Sequence, residues 1–176
     1  SYFDVKSQIK EEETIAKIIE FCKSAPNYNA GQLIEEYPEL KGDITSIAAG
    51  DIYSFIQRIE SNSVQHFQYG TSSAKTLTLS FWVRATKTGT QALHFAKQGT
   101  GTDYRRVAEY TINASNTWEH KTITIPGLTA STIANDSSTY FQVGWMLKYG
   151  STYQGTKDVW TTSAHYTTAN AVNNMD

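Results

Sequence analysis

Leu77, Leu79, Phe81 and Val83 fall on alternate positions, with Thr76, Thr78, Ser80 and Trp82 between them. Successive side chains of a strand point to opposite faces, so this run predicts a strand with one apolar and one more polar face. Similar patterns predict strands over 52–60, 64–69, 76–86, 91–97, 104–112, 119–125 and 140–149, with a last short one over 157–161. Gly70, Gly89, Gly99, Gly101, Gly127 and Gly150 punctuate them as turns. The segment 127–139 reads as a polar loop, and the tail from Thr161 to Asp176 lacks periodicity and reads as loop. A sheet with one apolar face needs a second layer to bury it. The expected fold is therefore mainly β, an antiparallel β-sandwich over 52–176.

The first 51 residues follow a different rhythm. Ile15, Ile18, Ile19 and Cys22 lie at i, i+3, i+4 and i+7, one stripe of a helix. Ser7 suits its N-cap and the acids at 11–13 suit its first turns. Pro26 and the Asn27-Tyr28-Asn29 segment end it. A second short helix is predicted over 30–37, with Leu33, Ile34 and Tyr37 as its apolar side and Pro38 as its stop. Helices this short do not hold together alone. They read either as a cap on the sandwich core or as an α-helical arm that docks on another chain through Ile15, Ile18, Ile19 and Cys22. Charge supports a boundary near 45–52: residues 1–51 carry about −5 and residues 52–176 about +3, together the net −2.

That net charge offers no clustered cations for nucleic acid. No apolar run approaches the length of a membrane span. Cys22 is the single cysteine, so no internal disulfide forms. The chain opens at Ser1 without a readable leader and is taken as a fragment or as a chain without its initiator methionine. The histidines, His66, His94, His120 and His165, are widely spaced and read as ordinary strand or loop residues. No G-x-S-x-G turn, P-loop or G-x-G-x-x-G occurs, and Gly99-Thr100-Gly101-Thr102-Asp103 reads as a polar hairpin turn. Glu109 and Glu119 read as exposed strand residues. Asn113-Ala114-Ser115 and Asn135-Asp136-Ser137 match a short, common glycosylation sequon that carries little weight.

Aromatic residues make up 12% of the chain. An exposed aromatic ring can stack on the weakly apolar C–H face of a sugar. Tyr149, Tyr153, Trp160 and Tyr166 lie in or near the late loops, so they are the candidate stacking residues. Trp82 and Trp145 lie in strongly patterned strands. Trp145 shares parity with Phe141, Val143 and Leu147 and is expected in the core.

Several short runs, in order, carry a resemblance: Gln57-Arg58-Ile59-Glu60, Tyr69-Gly70-Thr71, Ala74 through Arg84, Thr88-Gly89-Thr90, Tyr110-Thr111-Ile112, Asn116-Thr117-Trp118-Glu119 and Thr122 through Gly127. Over about 52–149 the chain resembles the jelly-roll modules of phage tail-fibre and other virion structural proteins, marine and cyanobacterial phages especially. Those modules are similar to carbohydrate-binding modules. The resemblance implies a non-catalytic component on the virion surface, associated with other virion chains, oligomeric, and able to touch host-surface glycans. It also implies no obligatory cofactor, with structural calcium as an option; Asp103, Asp136 and Asp158 are the available loop acids. Such modules close with a strand beyond the point where this chain stops, so an open edge is expected to act as an adhesive surface.

Three readings follow. A virion structural protein, head or tail, predicts a stable oligomer, with a trimer favoured. A free-standing glycan-binding module or host-adhesion domain predicts polysaccharide affinity through the late aromatics. A glycan-cleaving enzyme needs two facing carboxylates, and the β region offers no pair that spacing alone can join.

Overall fold

The structure, a computed structural model, describes residues 47–173. The predicted helices and the docking stripe Ile15, Ile18, Ile19 and Cys22 lie outside the described residues. Six strands appear in order: β1 (Ile52–Glu60), β2 (Leu77–Val83), β3 (Gly89–Gln98), β4 (Tyr104–Ile112), β5 (Glu119–Ile125) and β6 (Tyr140–Tyr149). They form two antiparallel sheets, a four-stranded sheet A in the order β1-β6-β3-β4 and a two-stranded sheet B of β2 and β5. β1 pairs with β6, β2 with β5 and β3 with β4. The chain is thus one long antiparallel double strand folded over itself: its middle pair makes sheet B, and its two outer pairs meet along β3 and β6 in sheet A.

The core lies between the sheets. Leu93, Phe95, Ala108, Phe141 and Val143 face inward from sheet A, and Ile123 and Ile125 meet them from sheet B, with Leu128 and Ile133 closing one side. Burying an aliphatic or aromatic side chain here stabilises by about 1.5–3 kcal/mol. Trp145 packs against this core, edge-on to Phe81 at 5.5 Å. Sheet B has half the strands of sheet A, so it covers only part of sheet A's inner face. Phe55 of β1 shares that face with Trp145, its partner in register, and its ring lies 6.0 Å from the indole. It nevertheless remains 64% exposed.

The predicted strand over 64–69 is instead a 3-10 helix, Ser61–Phe67. Val64 and Phe67 are three apart, the 3-10 repeat, and both turn toward the core. Gln65 fixes the turn by donating its amide to the Ser61 and Ile133 carbonyls, and Gln68 ends it in the left-handed region at φ 55°. The segment 157–161 makes two isolated bridges to the free edge of β4, at Val107–Lys157 and Arg105–Thr161, with no strand between. Asp158, at φ 63°, breaks the extended backbone there.

A third layer backs sheet A. β3 is buried along nearly its whole length, on both faces. Its outward side chains, with Val107 and Met146, are covered by residues 150–173, which return over the back of sheet A as a strap. The strap is clamped at Glu109, which accepts from Lys157 (2.7 Å), the Thr168 hydroxyl (2.6 Å) and the Asn170 amide.

Candidate functional site

Most of sheet A is covered on both faces, by the core and by the strap, whereas the outer face of sheet B meets solvent. Leu77, Leu79, Phe81 and Val83 turn inward, so alternation sends Thr78, Ser80 and Trp82 outward from β2. Register sets Thr124, Thr122 and His120 of β5 opposite these three. Side chains cross the ladder: Thr78 Oγ1 lies 3.0 Å from Thr124 Oγ1, and Ser80 Oγ lies 2.7 Å from His120 Nε2. The His120 ring sits 5.3 Å from the Trp82 ring, tilted by 50°. Trp118 stands two residues before His120, just outside β5. Trp82 is 65% and Trp118 62% exposed.

One end of sheet B therefore carries two solvent-facing indoles, continued along the ribbon by hydroxyls and an imidazole. Burial contributes about 25 cal/mol per Å² of apolar surface, so solvent-facing indoles forgo a large share of that gain. Apolar surface rimmed by polar groups marks an interaction site. A flat ring flanked by hydrogen-bonding groups suits a ligand with one apolar face and a hydroxyl-bearing rim.

Each of the four late aromatics has a structural partner. Tyr149 is buried, 4% exposed, and its hydroxyl donates to the Ala171 carbonyl, so it presents no stacking face. Tyr166 lies over the back of sheet A, edge-on to His94 at 4.9 Å, and its hydroxyl accepts from Arg105 Nε at 3.1 Å. Tyr153 packs edge-on against Tyr166 at 5.5 Å. Trp160 stands apart from these three, edge-on to Tyr69, and donates its indole N–H to the Pro126 carbonyl at 3.0 Å. Tyr149, Tyr166 and Trp160 fasten the strap to the sandwich, and Tyr153 packs within it.

His94 is the most perturbed group beneath the strap. Gln142 orients it: the Gln142 oxygen accepts from Arg58 Nε at 3.2 Å, which leaves the amide nitrogen to donate to His94 Nε2 at 2.8 Å. A neutral ring with its proton on Nδ1 satisfies that geometry. Burial, reinforced by the Arg105 charge, lowers its pKa to about 4.

The carboxylates are committed to structure rather than exposed along their strands. Burial pushes the Glu109 carboxyl up, but hydrogen bonds from Lys157 and Thr168 outweigh it and hold the group below its usual value. Glu119 accepts from Lys121 and from the Ala114 and Asn113 N–H groups, which draw it down to about 2. Of the loop acids, Asp103 accepts from the Gly99 N–H, Asp136 from the Ser138 and Thr139 N–H groups, and Asp158 faces Arg106 at 3.4 Å. Among the described residues no three His, Cys, Asp or Glu side chains gather as metal ligands.

Comparison with known protein families, with curated proteins and with solved structures found no match for this chain. The functional reading therefore stands on the residues themselves.

Sequence reasoning passed over Trp82 and Trp118 in favour of loops. The signal for Trp82 was its parity: it belongs to the polar set of its strand, opposite to Phe81 and Val83. Trp118 shares parity with His120, Thr122 and Thr124, the outward set of β5.

Proposed function

We propose that this chain is a non-catalytic recognition module that binds glycans through the outer face of sheet B. Trp82 and Trp118 stack on the apolar faces of sugar rings. Ser80, His120, Thr78 and Thr124 exchange hydrogen bonds with the hydroxyls. The observation that carries the reading is the solvent-facing Trp82 indole on a hydroxyl-bearing strand face, with a second exposed indole, Trp118, just before β5. The folded-over double strand, in which the chain passes between sheets at every connection except β3 to β4, supports a jelly-roll description. The resemblance to phage modules supports a place on a virion surface, with host glycans as ligands and other virion chains as neighbours. The carboxylates support a non-catalytic role, because groups held low by fixed donors are poor general acids.

The test is retention on immobilised polysaccharides and titration of tryptophan fluorescence with the retained glycan. Trp82→Ala and Trp118→Ala are each expected to weaken binding about tenfold, the effect of about 1.4 kcal/mol of lost stacking. Trp118→Ala should keep the wild-type melting temperature, and Trp82→Ala should lower it only by the loss of its His120 contact, about 0.2–1 kcal/mol. Absence of binding across a broad glycan array, or binding indifferent to both substitutions, refutes the proposal.

A further inference from the structure

β1 is the outermost strand of sheet A, and among the described strands it has a neighbour, β6, on one side only. Its middle is apolar on both faces. Phe55 points to the core side and Ile56 to the strap side, and they are 64% and 41% exposed. Edge strands of soluble proteins are ordinarily short, charged or covered, because a row of open N–H and C=O groups templates pairing with another strand. β1 is nine residues long, and its charges, Arg58 and Glu60, are confined to its last three residues.

We infer that this edge joins two copies of the chain, β1 pairing antiparallel with β1 about a two-fold axis at Ile56. The strand's own sequence argues for this occupant. Ile56 is the central residue of Ile52–Glu60, so pairing about it is the one register that sets the whole length of one strand opposite the whole length of the other. Ile56 then faces Ile56, Phe55 faces Gln57, Ser54 faces Arg58, Tyr53 faces Ile59 and Ile52 faces Glu60. No like charges meet. Moving the axis to Arg58 sets two guanidinium groups opposite each other, which destabilises the pair. In the Ile56 register the two Phe55 rings are diagonal neighbours, within reach of aromatic side chains. They extend the apolar strip that Trp145 begins on the core side. The product is one continuous sheet of eight strands, four from each copy. The contact is isologous, as a closed dimer requires.

The register makes the inference testable in the full chain. With Cys22→Ser as background, Ile56→Cys and Ile52→Cys each introduce a single thiol. At the axis, the two residue-56 Cα atoms stand about 4.5–5.5 Å apart at either kind of ladder site, inside the range a disulfide spans. The two residue-52 atoms stand eight residues apart along the pair, about 26 Å at ~3.3 Å per residue. Mild oxidation is expected to convert Ile56→Cys to a covalent dimer on a non-reducing gel and to leave Ile52→Cys monomeric. Light scattering on the unmodified chain gives an independent reading: a dimer at high concentration that dissociates on dilution, and that Ile56→Lys abolishes with the melting temperature retained. A monomer at every concentration overturns the inference. So does a trimer, equal cross-linking of the two cysteine variants, or an Ile56→Cys thiol kept from its twin because residues 1–46 or another partner cover the edge.

Discussion

Lowering the pH from 8 to 5 is expected to weaken the fold by about 2 kcal/mol through His94 alone. The ring sits on β3 under the strap, with Arg105 of β4, Gln142 of β6 and Tyr166 of the strap around it. In the unfolded chain an ordinary histidine takes up its proton near pH 6.5. In the folded protein burial, and secondarily the Arg105 charge, postpone that to about 4. Between those values the unfolded state binds more protons than the folded one, so stability rises with pH across the window. The His94 contribution is whole above about pH 6.5 and is lost as the pH falls toward 4. Linkage gives a loss of about 2 kcal/mol at pH 5 and about 3 kcal/mol below pH 4.

Urea unfolding followed by tryptophan fluorescence at pH 8, 6 and 5 measures this directly. His94→Gln removes the titration and should flatten the dependence over that range. The carboxylates held low, Glu109, Glu119 and Asp136, lose their stabilising interactions as the pH falls through their own lower values, and they do so in both proteins. An NMR titration of the His94 ring needs no variant. A ring that takes up its proton near pH 6.5, or equal pH slopes for wild type and His94→Gln, would falsify the account of a buried neutral imidazole.

Two further predictions concern the same layer. Gly144→Ala places a Cβ 2.2 Å from His94 Cε1; with the ring held by Gln142 and Tyr166, overpacking should cost about 1–3 kcal/mol in thermal unfolding and disturb the His94 titration. Glu109→Gln removes the charge that Lys157 and Thr168 bind; hydrogen exchange across 157–170 should quicken about tenfold, while β3 and β6 keep their protection.

The strands over 52–60, 104–112, 119–125 and 140–149 were legible in the sequence because alternation and flanking turn residues agree there. Residues 64–69 were predicted as a strand, but the spacing that counts is the three residues from Val64 to Phe67. The strap was not legible, since no periodicity marks a segment that folds as loop onto a sheet. Its target left a trace: Ala92, Leu93, Phe95 and Ala96 are apolar on both faces of β3, the signature of a strand covered twice. A two-layer reading gives the late tyrosines no sheet to cover, whereas Tyr149 and Tyr166 lie between the strap and sheet A. Pairing of β1 with β6 across some ninety residues is a long-range choice that local pattern does not encode.

Trp82 has a structural explanation that must be weighed against the functional one. Its ring meets His120 across the ladder, and a cross-strand aromatic pair contributes about 0.2–1 kcal/mol to a sheet. A two-stranded ribbon such as sheet B could retain a tryptophan for that reason alone. Trp118 separates the explanations, because it lies before the first residue of β5, outside the ladder, and is as exposed as Trp82. If the indoles serve the ribbon, Trp82→Ala lowers stability and Trp118→Ala changes nothing. If they also serve a ligand, both substitutions weaken glycan retention alike, although only Trp82→Ala lowers the melting temperature.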